Sequence, residues 1–209
     1  MRVRPITPEL LVTELADRLA RTAVPGRLRV AVDGPPAAGP DALAEALVDP
    51  LRAAGRPVLH IRAVDFLRPA SVRLEHGRTN PDAYYEGWID EAGLRREVLE
   101  PAGSDGSGRL LPSLWDAATD RASRVGYVEL PPGGVVLVSG PLLLGGGLPF
   151  DVTVHLVLSP AALGRRTDPD LRWTLPAFAR YAEEVAPSSF ADVVVRVDDP
   201  RHPALVEAA

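Results

Sequence analysis

Leu28-Arg29-Val30-Ala31-Val32-Asp33-Gly34-Pro35-Pro36-Ala37-Ala38-Gly39-Pro40-Asp41 is the stretch on which the fold turns. Residues 28–32 are a short apolar run, and Asp33-Gly34 ends it, so the run reads as a strand. Over residues 40–54 apolar side chains recur at Leu43, Leu47 and Leu51, the spacing of a helix, with Pro50 interrupting and Gly55 as C-cap. Residues 58–64 read as a second strand. Strand, loop, helix, strand predicts a βαβ unit with a parallel pair. Upstream, residues 7–22 carry Leu10, Leu11, Leu15 and Leu19 at near-helical spacing. Thr7 supplies the N-cap, Pro8 the first turn, and Pro25-Gly26 ends the element.

Downstream, residues 135–138, 152–158 and 193–197 are three more strand candidates. Helical patterns at 90–99, 161–166 and 176–185 lie between them. The alternation predicts an α/β fold, three layers around a mostly parallel five-stranded sheet. Residues 103–108 (GSDGSG) read as a flexible loop, and 198–209 as a short tail. A length of 209 residues fits one domain, with residues 1–27 as an N-terminal helical segment.

Composition narrows the chemistry. The apolar share is 46% and the charged share 24%, ordinary for a globular chain. With 23 basic and 28 acidic residues the net charge is −5, which argues against a nucleic-acid or anionic-membrane surface. Cysteine is absent, which excludes disulfides, thiolate metal sites and a cysteine nucleophile. Lysine is absent too: all 23 basic residues are arginine. No step can therefore rely on a lysine ammonium. Residues 1–5 lack the apolar core of a signal peptide. The most apolar stretch, 134–150, is broken by Gly140, Pro141 and Gly145 to Gly147 and is shorter than the ~20 residues of a spanning helix. The chain reads as cytoplasmic.

In an open parallel sheet ligands bind beyond the carboxyl ends of the strands, so the loop after the first strand comes first. A phosphate-binding loop has the form G-x-x-x-x-G-K-[ST] in this strand–loop–helix setting. Gly34 and Gly39 keep its spacing, but Pro40 replaces the lysine and Asp41 the serine or threonine. Pro35, Pro36 and Pro40 have no N–H to aim at phosphate oxygens. Asp41 removes a Mg²⁺-binding hydroxyl and sets a negative charge where an anion would arrive. Such a like charge at ~4 Å costs about 4 kcal/mol at an effective dielectric of ~20. The same residues also make a ligand-free helix start: Gly39 as N-cap, Pro40 at N1, and Asp41 complementing the helix dipole.

Further motifs follow in order: Asp65-Phe66-Leu67-Arg68-Pro69, Asn80-Pro81-Asp82-Ala83-Tyr84-Tyr85, Trp115-Asp116-Ala117-Ala118-Thr119-Asp120, Ser139-Gly140 and Arg165-Arg166. Together with the loop, over residues 28–199, the chain resembles the uridine kinase-like branch of P-loop NTPases, in its actinobacterial type. The resemblance implies a nucleoside kinase fold using ATP and Mg²⁺. It places Asp65 beside the family's catalytic base, whose position falls on Val64. It places Asp82 and Tyr84 in the nucleoside-binding segment, with Trp115 against the base and Asp120 at family-like spacing. It makes Arg165, Arg166 and Arg172 the remnant of a phosphate lid. Ser139 stands where the family has a strand-end acid. The plain alternatives stay open: Asp65 as a strand-end carboxylate, Asp82 in a helix first turn, Trp115 as a packing residue, the arginines solvated. His60 and His155, in strand candidates, read as core histidines, and no metal site is expected.

Three functional classes remain. The first is a nucleoside kinase-like phosphotransferase, impaired by Pro40, Asp41 and Ser139. The second is a non-catalytic descendant that binds a nucleoside-like small molecule or a partner. The third is a repurposed enzyme working through Asp33, Asp41 and Asp65 as an acid–base cluster.

Overall fold

A computed structural model describes residues 2–207. Seven strands build one sheet: β1 (Arg2–Pro5), β2 (Leu28–Asp33), β3 (Val58–Arg62), β4 (Val135–Gly140), β5 (Val152–Val157), β6 (Val193–Arg196) and β7 (Ala204–Glu207). Their order is β1-β7-β6-β5-β2-β4-β3. From β6 to β3 all neighbours are parallel, while β7 runs antiparallel to both β6 and β1. β2 lies between β4 and β5, so the loop leaving it opens at the middle of the sheet's carboxyl edge.

Two expectations from the sequence are corrected here. The sheet has seven strands, not five, and residues 204–207 of the supposed tail are a paired strand. Both added strands are four residues long, and Pro5 or charged residues interrupt their apolar pattern. Their stability comes from each other: Val3 lies opposite Val206, a pairing across almost the whole chain that no local signal announces.

Helices α1 (Pro8–Arg21) and α2 (Pro40–Ala53) cover one face. Thr7 caps α1, its hydroxyl accepting from the Leu10 N–H at 3.2 Å. Leu11, Leu15 and Leu19 of α1 and Leu47 and Leu51 of α2 pack on Leu28, Val30, Val32 and Leu137. Pro50 does not break α2, because so near the end it removes one hydrogen bond, and Ala54 closes the turn by donating to the Pro50 carbonyl.

The opposite face carries a helical run over 91–102 and, further on, α3 (Pro81–Gly87) and α5 (Leu175–Glu184), with α4 (Pro160–Arg166) leading into α5 through 169–174. Leu94, Val98 and Leu99 of the run pack on Ile61, Phe66, Val136 and Val138. The run widens to a π-turn over Arg95–Leu99, just before Pro101. Pro101 has no N–H for the Glu97 carbonyl, which accepts from Leu111 instead. Segment 103–108 is tied down rather than free: Arg27 donates to the Gly106 and Leu130 carbonyls. β3 stops at Arg62, two residues short of the expectation, because 63–66 turn as a 3₁₀ helix.

Candidate functional site

The loop from β2 to α2 is shaped by its two glycines. Gly34 has φ +157°, and a Cβ there would sit 2.8 Å from the Leu156 carbonyl oxygen. Its N–H donates to Gly140 at 3.1 Å, fastening the loop to the end of β4. Pro36–Ala38 form one 3₁₀ turn, and Gly39 caps α2 in the left-handed region at φ +81°. Ala38 donates to the Pro35 carbonyl at 2.7 Å and Gly39 to Pro36 at 3.0 Å. Pro35, Pro36 and Pro40 contribute no N–H, and those of Gly34, Ala38 and Gly39 are engaged by carbonyls, which leaves Ala37 and Asp41 with the loop's N–H groups that no carbonyl engages. A phosphate cradle needs the engaged groups turned outward.

The aspartates at the two ends of the loop meet different surroundings. Asp33 is fully buried. Its Oδ1 accepts from the Leu143 N–H at 2.9 Å, and its Oδ2 lies 2.7 Å from His155 Nδ1 and accepts from the Tyr181 hydroxyl at 3.1 Å. The Tyr181 hydroxyl in turn accepts from the Leu144 N–H at 3.0 Å. Burial and the neighbouring Asp33 charge both push the Tyr181 phenol far up, so it remains a donor.

Asp41, exposed in the first turn of α2, accepts a short hydrogen bond from the buried Ser139 hydroxyl at the end of β4. Ser139 Oγ also lies 2.8 Å from His60 Nε2, and His60 Nδ1 lies 3.1 Å from Glu45 Oε2. Asp41 and Glu45 are four residues apart and share a helix face. His60 pairs in register with Leu137, so residues 60, 137 and 139 point to the α2 side of the sheet. Backbone geometry alone therefore brings the four groups into one line. His60 is mostly buried and Glu45 mostly exposed, at 12% and 74% of their side chains.

A cavity of about 290 Å³ opens beside this line, bordered by Pro36, Asp41, Val64, Tyr84, Trp88 and Ser139. Tyr84 and Trp88 form its aromatic wall, and behind it the Tyr84 ring also meets Trp173 and Phe178: the three contacts are edge-on at 5.1, 5.6 and 5.9 Å. Burial raises the Tyr84 phenol well above its ordinary range. Trp88 Nε1 is buried and has no hydrogen-bond partner among the described residues. Leu142, also on the rim, is held at φ +60°, a strained conformation for a leucine. Across Pro35 a second cavity, about 360 Å³, runs past His155, Tyr181 and Phe178.

The other residues singled out from the sequence are placed as follows. Asp65 is turned from the cavity into an ion pair with Arg62 at 2.8 Å, and Val64 borders the cavity in its stead. Asp33, Asp41 and Asp65 thus have separate partners, and no three acidic or histidine groups among the described residues stand close enough to hold a metal ion. Asp82 pairs with Arg180 at 3.3 Å on the outside of α3. Trp115 donates from Nε1 to Asp120 at 3.0 Å, and Asp120 accepts from the Ala70 N–H and from Arg73. That hairpin, Trp115–Asp116 against Arg121–Ala122, clamps the turn Ala70–Arg73. Arg165 and Arg172 are exposed, while Arg166 donates to the Val197 carbonyl. Tyr84 alone of the substrate-side candidates borders the cavity. Sequence reasoning missed Glu45 and the link from His60 to Ser139. The i, i+4 spacing of Asp41 and Glu45 is visible in the sequence, but what they face depends on strand register.

No family model matches the chain, and no curated protein matches it. Solved structures do match. A possible uridine kinase from Bacillus stearothermophilus superposes with TM-score 0.71 at 22% identity, over 88% of this chain and 96% of that one. A putative fructose transport system kinase from Silicibacter sp. gives 0.59 at 25% identity, over 86% and 90%. A D-glycerate 3-kinase from Cryptococcus neoformans gives 0.61 at 16% identity, over 90% and 92%. The chain has the kinase-like α/β fold of these P-loop-type proteins.

Proposed function

We propose that this kinase-fold protein holds a small, flat ligand in the cavity beside Tyr84 and Trp88 and does not transfer phosphoryl groups from MgATP. One observation carries the reading. The Asp41 carboxylate, hydrogen-bonded to Ser139, stands where a phosphate-binding loop presents the Mg²⁺-binding hydroxyl and the strand end its acid. The residues present do not fit MgATP. The lysine position is Pro40, the loop N–H groups of Gly34, Ala38 and Gly39 serve the backbone, and a carboxylate faces the incoming anion. Phosphoryl transfer depends on positioning and charge neutralisation, and both are depleted here.

The acceptor side supports binding. Its wall offers aromatic surface from Tyr84 and Trp88 for a planar ring. The ligand class that suits it is nucleoside-like: a planar ring with a polar substituent.

A thermal-shift titration tests the reading. MgATP at 100 times its dissociation constant would stabilise a binder by about 2.7 kcal/mol. The expected result is no shift with MgATP and a saturable shift with a nucleoside. A clear MgATP shift accompanied by uridine-dependent ADP release would overturn it.

A further inference from the structure

We infer that Asp41, Ser139, His60 and Glu45 form a proton relay, and that it makes the cavity an acid–base site for a flat ligand carrying an exchangeable proton. Counting donors carries the inference. Ser139 has one hydrogen, and an ionised Asp41, which can only accept, takes it at Oδ1. The 2.8 Å contact to His60 Nε2 is then a hydrogen bond only if Nε2 carries a proton, and the 3.1 Å contact to Glu45 only if Nδ1 does. All three contacts are satisfied by an imidazolium between two carboxylates.

They are satisfied equally by a second arrangement with the same number of protons. The Nε2 proton moves to Ser139 Oγ as the serine hydrogen moves to Asp41. His60 is then neutral and still donates from Nδ1 to Glu45. Ser139 donates to Nε2, and the Asp41 carboxylic acid donates to Ser139. The chain thus carries one mobile proton, with His60 at one end and Asp41, on the cavity rim, at the other. As an acid, the Asp41 carboxyl turns that proton from Ser139 towards the cavity, passes it to a ligand and leaves His60 neutral. As a base, the deprotonated chain accepts a ligand proton at Asp41, which His60 then holds and Glu45, open to solvent, hands to water.

The charged groups around His60 are few. Asp41 and Glu45 face it from α2, Ser139 from β4, and Arg62, next but one on β3, is paired with Asp65 and also feels Asp41. Neither the serine nor the histidine belongs to the phosphate-loop pattern, and the relay does not depend on whether MgATP binds.

Two measurements on the full chain, without nucleotide, decide the matter. In ¹⁵N-histidine-labelled protein, Nδ1 of His60 should carry a proton, and the Nε2 resonance should move in both Asp41→Asn and Ser139→Ala. A bare Nδ1, or an Nε2 signal indifferent to both substitutions, overturns the relay. The second uses 5-nitrobenzisoxazole, a flat ring with one acidic C–H. A base takes the C3 proton, the C–H electron pair becomes the third bond of a nitrile, and the N–O bond breaks to release a phenolate. The rate should exceed that of acetate at equal concentration by ~10²-fold, the lower range of general-base effects, and fall to the acetate level in Asp41→Asn. It should rise with pH as the chain gives up its proton. Ser139→Ala should move that rise to lower pH, and Ser139→Thr, which keeps a hydroxyl, should restore it. A wild-type rate equal to acetate, a rate retained in Asp41→Asn, or one pH profile for all the serine variants overturns the acid–base site. The Ser139→Thr arm keeps the test open should Ser139→Ala fold poorly.

Discussion

Asp33 and Asp41 bracket the same loop, eight residues apart, and the fold treats them in opposite ways. Asp33 is sealed from water and held by three donors: Leu143, His155 and Tyr181. Asp41 stands at the cavity rim with one side-chain donor, Ser139. A buried charge survives only with its lone pairs matched, so Asp33 is part of the architecture. An exposed carboxylate on a proton-carrying chain contributes little to the fold and is left to act. The difference shows that two carboxylates at the ends of one loop can be given separate duties, one locked into the fold and one left at the cavity rim.

The largest expected effect breaks the comparison if it fails. Asp33→Ala should lower stability by about 3–5 kcal/mol in urea unfolding, because His155 and Tyr181 lose a buried partner. Asp41→Ala should cost about 1 kcal/mol or less, the worth of one exposed charge in the first turn of α2 and one hydrogen bond. Equal losses would mean that both carboxylates are structural.

The two glycines sharpen the same contrast at intermediate size. Gly34→Ala combines φ +157° with a Cβ 2.8 Å from a backbone oxygen that cannot yield. It should cost about 3 kcal/mol and shift β5 near Leu156. Gly39→Ala has φ +81° but nothing closer than 4.0 Å, so only the left-handed strain counts, about 1–2 kcal/mol. Thermal melts of the two variants side by side would show whether the loop is pinned at its first glycine, as the geometry requires. A smaller loss at Gly34 than at Gly39 would contradict it.

How much of this was legible beforehand follows from the range of each interaction. The βαβ unit stood in the sequence because its signals are local: Val30 and Val32 before a glycine, Leu43, Leu47 and Leu51 at helical spacing. The Gly34 to Asp41 loop was legible for the same reason. β1 and β7 were not, since Val3 and Val206 stabilise each other only once the chain has closed. The site divides likewise. Tyr84 was singled out with its motif and borders the cavity, but Val64 and Asp65 depend on where a single 3₁₀ turn begins, which exchanges a carboxylate for a valine at the cavity. The contact of His60 with Ser139 needs the register of β3 on β4, and no spacing in the sequence encodes that.

Glu91 extends the comparison to a carboxylate that is half-buried and short of donors. Burial raises its pKa above 4.5, against the opposing pull of Arg68 and Arg95. A raised carboxyl favours the folded state while protonated. Its contribution is therefore complete below the unfolded pKa of 4.5 and is lost as pH rises through the higher folded value. At pH 7 the ionised side chain is a net burden that glutamine would not carry. Glu91→Gln should raise the melting temperature slightly at pH 7, by the equivalent of less than ~1 kcal/mol, and the gain should vanish near pH 4. Asp33→Asn should lose stability at pH 7, because an amide nitrogen cannot accept from the groups that the two Asp33 oxygens serve. A gain at both positions would show that burial alone governs these carboxylates; opposite signs would show that donors decide.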